Sequence, residues 1–150
     1  MMTYTKEKVQ ITEIPYKSDA YLQELELRNR VLRIPLGMSL YDENLEKEKD
    51  DVHIGAFIKG KVVGVLILTR LNTIEVKMRQ VAVDDGARGI KIGTEIVAFA
   101  EGYAKEKGYT TMLLNARKTA VGFYDKLGYE TIGEEFLEIN IPHFKMRKCL

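Results

Sequence analysis

The stretch from Val81 to Thr94, VAVDDGARGIKIGT, joins an apolar strand to an amphipathic helix through a loop that contains Gly86 and Gly89. The first backbone N–H groups of a helix have no partner inside the helix and lie at the positive end of its dipole. The glycines let a ligand come close to the backbone, and Arg88 and Lys91 add positive charge. The segment therefore predicts a binding site for a pyrophosphate group.

Two common phosphate-binding loops do not match this segment. A Walker loop requires G-x-x-x-x-G-K-[ST], and a Rossmann turn requires G-x-G-x-x-G, whereas Gly86, Gly89 and Gly93 are spaced differently. By contrast, Arg88-Gly89-Ile90-Lys91-Ile92-Gly93 resembles the signature Q/R-x-x-G-x-G/A of the GNAT acetyltransferases, a superfamily that binds acetyl-CoA. The first and last positions match, and Lys91 replaces the middle glycine.

Apolar patterns on both sides of this stretch predict the order strand, helix, three strands, helix, strand, helix, two strands. A first helix capped by Ser18 or Asp19 extends to about Arg33, and the hairpin that follows turns at Gly60. Regular side-chain alternation is expected along the strand Ile74–Val83. We therefore expect an α/β (α+β) fold with a mixed central sheet of about six to seven strands and flanking helices.

Two segments give weaker predictions. Asp42–Asp51 carries charges of both signs and is expected to be a solvated loop or a short exposed helix, or alternatively a mobile wall of a substrate pocket. Near the C-terminus, Tyr129–Gly133 and Phe144–Lys148 are predicted as the last two strands, with Phe136–Pro142 connecting them.

Further segments resemble the GNAT acetyltransferases in the expected order. Gln80-Val81-Ala82-Val83 resembles the strand whose backbone pairs with pantetheine. Leu113-Leu114-Asn115 follows, and Ala120-Val121-Gly122-Phe123-Tyr124-Asp125-Lys126-Leu127-Gly128-Tyr129 resembles the motif A-x-x-F-Y-x-K-x-G-F/Y of the family's fourth helix. Gly133–Met146 resembles a closing segment of uncharacterised bacterial GNAT proteins. The resemblance covers Ala56–Gly133 well and the first 50 residues poorly.

The resemblance implies an acetyl-CoA site between two strands that splay apart near Val83 and Asn115. Arg88 and Lys91 would contact phosphates there, and a plain surface role is the alternative for these two cations. The backbone N–H of Val81 or Ala82 would polarise the thioester carbonyl, a contribution of about 10²–10³ in rate. The implied cofactor-binding residues are Val81, Ala82, Val83, Arg88, Gly89, Ile90, Lys91, Ile92, Gly93, Thr94, Asn115, Ala120, Phe123 and Tyr124, with Arg117 and Lys118 as further candidates.

Tyr124 is the residue that the resemblance assigns as the general acid. A hydroxyl beside the thioester can protonate the departing thiolate, and a reference pKa of ~10 suits donation near neutral pH. The alternative is an aromatic side chain on the core face of the helix, since Phe123 and Leu127 are close by in sequence.

The general base is less well defined. Some family members carry a glutamate four residues before the position of Val81, where this chain has Lys77, which cannot act as a carboxylate base. Glu75, two residues earlier on the same strand face, or His143 is the candidate base. Glu138, His53 and a water chain to several weak bases are the alternatives. Direct attack on the thioester is expected, because no nucleophile pair suggests an acyl-enzyme.

Composition limits the other function classes. The 150 residues fit a single domain over residues 1–150, and the formal net charge of +1 gives no strong field toward nucleic acid or membrane. The one cysteine, Cys149, lies outside the motifs and cannot form an internal disulfide. With no apolar signal-peptide core and no run of ~20 apolar residues, we expect a cytoplasmic protein. No His/Cys cluster has ligand spacing, so no metal site is expected.

The leading hypothesis is an N-acetyltransferase that moves an acetyl group from acetyl-CoA to a primary amine of a small molecule or a protein. Two alternatives stay open: a non-catalytic acyl-CoA-binding module or sensor, and a nucleotide-binding protein unrelated to coenzyme A. The acceptor is open among polyamines, amino sugars, aminoglycosides and protein amines. A homodimer through the apolar edge of a closing strand is one assembly that the resemblance allows.

Overall fold

The computed structural model describes residues 9–150, and at Arg88 and Gly89 it describes the backbone alone. In this part of the chain, strands and α-helices follow one another in the predicted order. Their bounds are Val9–Ile14 (β1), Asp19–Arg28 (α1), Val52–Ile58 (β2), Lys61–Arg70 (β3), Glu75–Val83 (β4), Ile92–Glu106 (α2), Thr111–Arg117 (β5), Val121–Lys126 (α3), Glu130–Glu138 (β6) and Ile141–Cys149 (β7).

The strands form one seven-stranded sheet in the order β1-β2-β3-β4-β5-β7-β6. β4 and β5 pair in parallel, whereas β1/β2, β2/β3, β5/β7 and β6/β7 are antiparallel. The predicted mixed α/β class and the predicted number of strands are confirmed. The splay predicted near Val83 and Asn115 stays a prediction.

The chain forms two compact units. Unit 1 comprises the described part of Met1–Thr69 together with Gln80–Ala100, and unit 2 comprises Arg70–Arg79 together with Glu101–Leu150. β4 and α2 each contribute residues to both units. The expectation of a single acyltransferase domain over residues 1–150 stays a prediction.

The core of unit 1 is built on β3, which is buried along nearly its whole length. Val62 and Val65 of this strand pack with Leu27 of α1 and with Ala82 of β4. At Gly64, an added Cβ would lie 2.8 Å from Cγ2 of Ile92, the first residue of α2. The missing side chain at Gly64 therefore lets the start of α2 approach the sheet closely.

The first helix has the predicted extent. Ser18 is the N-cap, because its hydroxyl oxygen accepts a hydrogen bond from the N–H of Tyr21 at 3.2 Å. The α-helical part ends at Arg28, and the helix continues as a π-helical turn over Asn29–Arg33, so the predicted end near Arg33 is confirmed. The side-chain oxygen of Asn29 accepts a hydrogen bond from the N–H of Leu40 at 2.8 Å. Helical periodicity does not predict this contact, because the two residues belong to different elements.

The charged segment Asp42–Asp51 is mostly exposed, as predicted, but not throughout. Leu40–Asp42 and Leu45–Glu48 form short 3-10 helices. The prediction of a solvated segment is wrong for Glu48, whose side chain is buried against α1. Glu48 is buried because its carboxylate pairs with the buried guanidinium of Arg28, and sequence patterning does not identify Arg28 as its partner.

β4 keeps the predicted alternation but has an unusual backbone at Gln80. Val76, Met78 and Ala82 are buried on the predicted face. Gln80 has a φ of 57°, a left-handed backbone conformation of the kind found at β-bulges, directly before the segment Val81–Val83. Its side-chain oxygen accepts a hydrogen bond from Nε of Arg28 at 3.4 Å.

The last two strands form a tighter hairpin than predicted. β6 and β7 pair as far as Glu138 and Ile141, so only Ile139 and Asn140 connect them. Both connecting residues have positive φ values, 52° and 59°, as a two-residue hairpin turn requires. The predicted connection Phe136–Pro142 is wrong because an isoleucine at such a turn position gives no sequence signal.

Among the residues that the structure describes, no helix combines the length and apolarity needed to cross a lipid bilayer.

Candidate functional site

The segment after β4 is held to unit 1 by Asp84. Its N–H donates to the carbonyl of Val63 at 2.8 Å, and its carboxylate accepts from the N–H of Gly86 at 3.2 Å. Nη1 of Arg30 lies 3.6 Å from the same carboxylate. Asp85–Ile90 then forms a 3-10 helix where the sequence predicts a loop, because the side chain of Asp84 caps the first turn.

Lys91 occupies the turn between this 3-10 helix and α2. Its φ of 61° lies in the left-handed region, and its side chain is exposed. A residue with a Cβ in this conformation is less stable than glycine by about 1–2 kcal/mol. Arg88 and Gly89 belong to the same 3-10 helix, but the predicted phosphate contact of the Arg88 side chain lies outside the described residues.

The other predicted cofactor residues of unit 1 offer mainly backbone groups. The side chains of Ala82 and Ile92 are buried in the core, so these two residues can reach a ligand only through the main chain. Four others are half-buried, and they are Val81, Val83, Gly93 and Thr94. Ile90 is also half-buried, at the end of the 3-10 helix.

Tyr124 lies in α3 and belongs to an aromatic cluster of unit 2. Its ring meets Phe123 and Tyr129 edge to face, with centroid distances of 5.0 and 5.8 Å. The side chain is 8% exposed, and burial raises its pKa to about 12. The hydroxyl is therefore a neutral hydrogen-bond donor throughout the physiological pH range.

Asn115 and His143 are linked through one carboxylate. Nδ2 of Asn115 donates to Oε1 of Glu138 at 3.2 Å, and Nε2 of His143 lies 3.4 Å from Oε2 of the same residue. Nδ1 of His143 lies 2.7 Å from the carbonyl oxygen of Ile141, which can only accept. Nδ1 therefore carries a hydrogen, and Nε2 faces the carboxylate of Glu138.

Glu75 lies at a different place in unit 2 from His143. Glu75 pairs with Thr111 at the start of β5, whereas His143 pairs with Arg117 at the end of that strand. Six residues of β-strand correspond to about 20 Å, so the two candidate bases do not act together. The carboxylate of Glu75 accepts from Nδ2 of Asn72 at 2.7 Å and closes the turn before β4.

A cleft with a volume of about 460 Å³ opens on unit 2. We call it the unit 2 cleft and define it by its polar lining residues, which are Lys77, Asn115, Glu134 and Lys145. Apolar side chains, among them Phe136, complete its walls. Asn115 is the one predicted cofactor residue that lines it.

A family model described as an acetyltransferase (GNAT) domain matches residues 35–150 of the chain. The protein belongs to this GNAT acetyltransferase family.

Relatives from Bacillus subtilis (strain 168) agree with this GNAT assignment. The uncharacterised N-acetyltransferase YjcF is 34% identical over 104 residues, which are 69% of this chain and 74% of YjcF. The uncharacterised protein YyaT is 39% identical over 72 residues, which are 48% of this chain. The match spans only 49% of the length of YyaT.

Solved structures share the GNAT fold at low sequence identity. A Lactobacillus plantarum protein, assigned provisionally as an N-acetyltransferase, has a TM-score of 0.85 and 19% identity over 95% of this chain and 98% of that one. An aminoglycoside 6′-N-acetyltransferase complexed with coenzyme A has a TM-score of 0.79 and 18% identity over 93% and 96% of the two chains. A GNAT acetyltransferase from Elizabethkingia anophelis with acetyl-CoA bound has a TM-score of 0.75 and 15% identity over 97% and 100%.

The GNAT signature gives a physical meaning to the conformation of Lys91. The middle glycine of Q/R-x-x-G-x-G/A falls on this position, and the backbone here is left-handed. Glycine adopts that conformation without steric cost, which explains its place in the signature. This chain has a lysine at the position, which adds a positive charge and the strain of a Cβ in the left-handed region.

Sequence reasoning missed a buried charged network in unit 1 of this GNAT protein. Arg28 donates from Nη1 to Glu24 at 3.1 Å, and from Nη1 and Nη2 to Glu48 at 2.9 and 2.7 Å. His53 lies with Nδ1 2.8 Å from Oε1 of Glu24 and with Nε2 3.0 Å from the carbonyl oxygen of Glu48. The only available signal was the i, i+4 spacing of Glu24 and Arg28, which also fits an ordinary surface pair.

The network changes the interpretation of His53 and includes a tyrosine. Burial alone would lower the pKa of His53, but the hydrogen bond and charge of Glu24 outweigh it, and the pKa is raised. The hydroxyl of Tyr21 is buried without a hydrogen-bond partner in the described part of the chain, and burial followed by the charge of Glu48 raises its pKa to about 12. Because both ring nitrogens of His53 are engaged in the interior, it is a structural residue rather than a base for an external amine.

Proposed function

We propose that this protein is an N-acetyltransferase that moves the acetyl group of acetyl-CoA to a primary amine by direct attack of the amine on the thioester. Membership of the GNAT family supports the acyltransferase class. The observation that carries the rest is Tyr124, a buried and neutral hydroxyl in the helix that follows β5. We further propose that residues 1–150 act as one acyltransferase domain.

The turn at Lys91 supports the proposed cofactor site. The left-handed backbone there directs the chain into α2, whose first N–H groups have no intrahelical acceptor. The exposed ammonium of Lys91 adds a cation at the positive end of the helix dipole. These groups fit the pyrophosphate of coenzyme A, with Arg88, Gly89 and Gly93 as further predicted contacts.

Backbone groups of β4 are assigned to the thioester and pantetheine. Gln80 has a left-handed backbone conformation directly before Val81 and Ala82. At such a position the N–H groups that follow depart from the regular hydrogen-bonding direction of the strand. We assign the N–H of Val81 or Ala82 to the thioester carbonyl, where a donor stabilises the negative charge of the tetrahedral intermediate. Arg28 holds Gln80 through its side-chain oxygen and so supports this geometry.

Tyr124 is assigned to the leaving thiolate. Acetyl-CoA supplies the acetyl group and the sulfur that leaves when the C–S bond breaks. The pKa of Tyr124 is above the ~8.5 of a free thiol, so its hydroxyl donates a hydrogen bond before the proton moves. Removal of the thiolate from water also raises the pKa of the thiol, so the difference between the pKa values of Tyr124 and the thiol becomes smaller.

The proton of the attacking amine requires an acceptor, and we propose Nε2 of His143 or the carboxylate of Glu75. The link from Nε2 of His143 through Glu138 to Asn115, which lines the unit 2 cleft, favours the histidine. Glu75 is engaged with Asn72 in a turn, which favours a structural role for its carboxylate. The two assignments differ in which substitution abolishes turnover.

The test begins with calorimetric titration by acetyl-CoA, with ATP and NAD as controls for a nucleotide-binding protein. Micromolar acetyl-CoA binding that weakens in Lys91→Ala is the expected result. Release of free thiol in the presence of a panel of amines then measures transfer. Acetyl-CoA binding without turnover on any amine would identify a non-catalytic binding module, and tighter binding of ATP or NAD would overturn the coenzyme A site.

A further inference from the structure

The unit 2 cleft carries a positive charge that the proposed function does not yet use. Lys77 and Lys145 both line it, and the one carboxylate among its lining residues is that of Glu134. Both lysines project from paired strands: Lys77 is opposite Leu113, and Asn115 is opposite Lys145. The register therefore places the two lysines on either side of β5 and on the same face of the sheet.

The spacing of the two lysines suits a shared anionic group. Lys77 and Lys145 are separated by two strand spacings and two residues along the strand, which gives a Cα separation of about 12 Å. Their long side chains can meet over the cleft between them. Two ammonium groups at such a position attract an anion and repel a cation.

Two of the neighbouring acids are paired with cations that do not line the cleft. Glu130 pairs with Arg147 at 3.0 Å, and Glu135 pairs with Lys118 at 2.8 Å. Glu138 accepts from Asn115 and faces His143. The exposed Glu134 opposes only part of the charge of the two lysines, so the net charge of the cleft lining is positive.

The walls of the cleft between the lysines are apolar. Leu113, Ile132 and Phe136 line it, and Phe136 stacks on His143 with a centroid distance of 5.9 Å. A volume of about 460 Å³ is within the range of small-molecule sites and suits a compact ligand with an apolar body. Asn115, the predicted cofactor residue, lines the same space.

We propose that the unit 2 cleft binds the acceptor and that the acceptor is an amine that also carries a carboxylate and an apolar group, the chemistry of an apolar or aromatic amino acid. Lys77 and Lys145 hold the carboxylate, and the apolar walls hold the side chain. This inference rests on the proposed N-acetyltransferase function. It excludes polycationic acceptors such as polyamines and aminoglycosides, because two lysines repel them.

The test uses amines that differ only in the carboxylate. Phenylalanine is compared with phenethylamine, and leucine with isoamylamine, by thiol release from acetyl-CoA; spermidine represents polycations and phosphoethanolamine represents phosphate as the anion. We expect kcat/KM for the carboxylated amines to exceed that of their partners by about tenfold or more. Equal or faster transfer to phenethylamine or spermidine overturns the proposal. A preference for phosphoethanolamine would also overturn it, because the lysines would then bind a phosphate and not a carboxylate.

Substitution of the lysines links the preference to the cleft. Lys77→Gln and Lys145→Gln are each expected to reduce the preference for the carboxylate severalfold, and together to remove it, through slower transfer to phenylalanine and faster transfer to phenethylamine, a cation that the lysines repel. Lys105→Gln, an exposed lysine of α2 outside the cleft, is the matched control. An equal loss for both amines, or the same loss in Lys105→Gln, contradicts the assignment.

Failure of this inference is distinguishable from failure of the proposed function. Calorimetry with acetyl-CoA reads the cofactor site, and we expect the same affinity in Lys77→Gln, Lys145→Gln and the unaltered protein. Titration of the protein with phenylalanine and phenethylamine, followed by NMR, reads the cleft without turnover. Retained acetyl-CoA binding together with equal weak shifts for both amines would overturn the acceptor class alone, whereas absent acetyl-CoA binding would overturn the function on which it rests.

Discussion

The guanidinium of Arg28 forms a two-fold hydrogen bond with the carboxylate of Glu48, with N···O distances of 2.9 and 2.7 Å, in the interior of unit 1. Twenty residues separate the two in sequence, and both side chains are almost wholly buried. The pair therefore fixes the charged segment around Glu48 to α1, and through Gln80 the same guanidinium also contacts β4. This relationship leads to two predictions about stability.

Arg28→Met should destabilise the protein strongly. The substitution leaves the carboxylates of Glu24 and Glu48 buried without their cation, and breaking such a pair lowers the free energy of unfolding by about 3–5 kcal/mol. Urea denaturation followed by circular dichroism measures the change. Arg30→Met is the control, since Arg30 is half exposed and its pair with Asp84 at 3.6 Å should contribute less than about 1 kcal/mol. Similar effects of both substitutions would contradict a special role for Arg28.

The raised pKa of His53 predicts a pH dependence of stability. Because the folded pKa lies above the unfolded value, the contribution of the protonated ring is fully present below about pH 6.5 and is lost as the pH rises through the folded value. The free energy of unfolding should therefore fall with rising pH above 6.5, by at most about 1.4 kcal/mol per pH unit for one proton. Arg28 and Tyr21 belong to the same network, but the hydrogen bond and charge of Glu24 are what stabilise the protonated ring of His53.

His53→Gln and Glu24→Gln should both reduce this slope. The first removes the titrating ring, and the second removes the carboxylate that stabilises the charged ring. Denaturation series at several pH values between 6 and 9 give the slopes directly. If both variants kept the slope of the unaltered protein, the titration of His53 would not be its source.

Lys91→Gly and Lys91→Ala should separate backbone strain from charge. Both remove the ammonium, and both should weaken acetyl-CoA binding to a similar extent. Only glycine relieves the left-handed strain, so Lys91→Gly should be more stable than Lys91→Ala by about 1 kcal/mol. Thermal unfolding and calorimetric titration measure the two effects. Weaker binding in the alanine variant alone would mean that turn geometry, not charge, governs the site.

Tyr124→Phe should slow acetyl transfer by about 10²-fold or more with little change in acetyl-CoA affinity, as expected for the loss of an acid that acts on the leaving group. Because its pKa is about 12, no loss of rate from ionisation of this tyrosine is expected up to about pH 10. Tyr129→Phe is the matched control in the same aromatic cluster. Its hydroxyl donates to Glu101 at 2.8 Å, so its removal should lower stability and leave the chemical step intact. Equal losses of affinity and rate in Tyr124→Phe would contradict the acid role.

Ile139→Asn should stabilise the hairpin between β6 and β7. Ile139 has a φ of 52°, which is unfavourable for a β-branched residue and well tolerated by asparagine. We expect a gain of about 1 kcal/mol in the free energy of unfolding. Leu137→Asn, at an exposed strand position of β6, is the control and should give no such gain. A loss of stability in Ile139→Asn would show that the apolar side chain matters more than the turn.

Of the two hairpin turns, local sequence predicts one and not the other. Gly60 marked the turn between β2 and β3, and the structure confirms it, with Lys59 and Gly60 both left-handed. Ile139 and Asn140 form the same kind of turn, yet the sequence pattern predicts a longer connection there. The difference is that glycine is the usual residue at positive φ, whereas an isoleucine reaches that conformation only because the paired strands on both sides impose it.

The candidate site also contains some features that the sequence predicts and others that it does not. Motif resemblance selected Tyr124, Asn115 and the turn at Lys91, and family membership is confirmed. The network of Arg28 and the cleft that contains Lys77 were not visible, because their members come from different elements and become neighbours only after folding. Register, which decides that Lys77 and Lys145 share a face, depends on the pairing of three strands.

The sequence by itself determined the order of the elements, the mixed α/β class and the family, because these follow from local periodicity and from motifs within short segments. Only the tertiary structure decided that Glu48 is buried, that His53 is a structural residue and that two lysines line one cleft. The physical reason is that a charge has no preferred partner until folding brings one within hydrogen-bonding distance and removes the water between them.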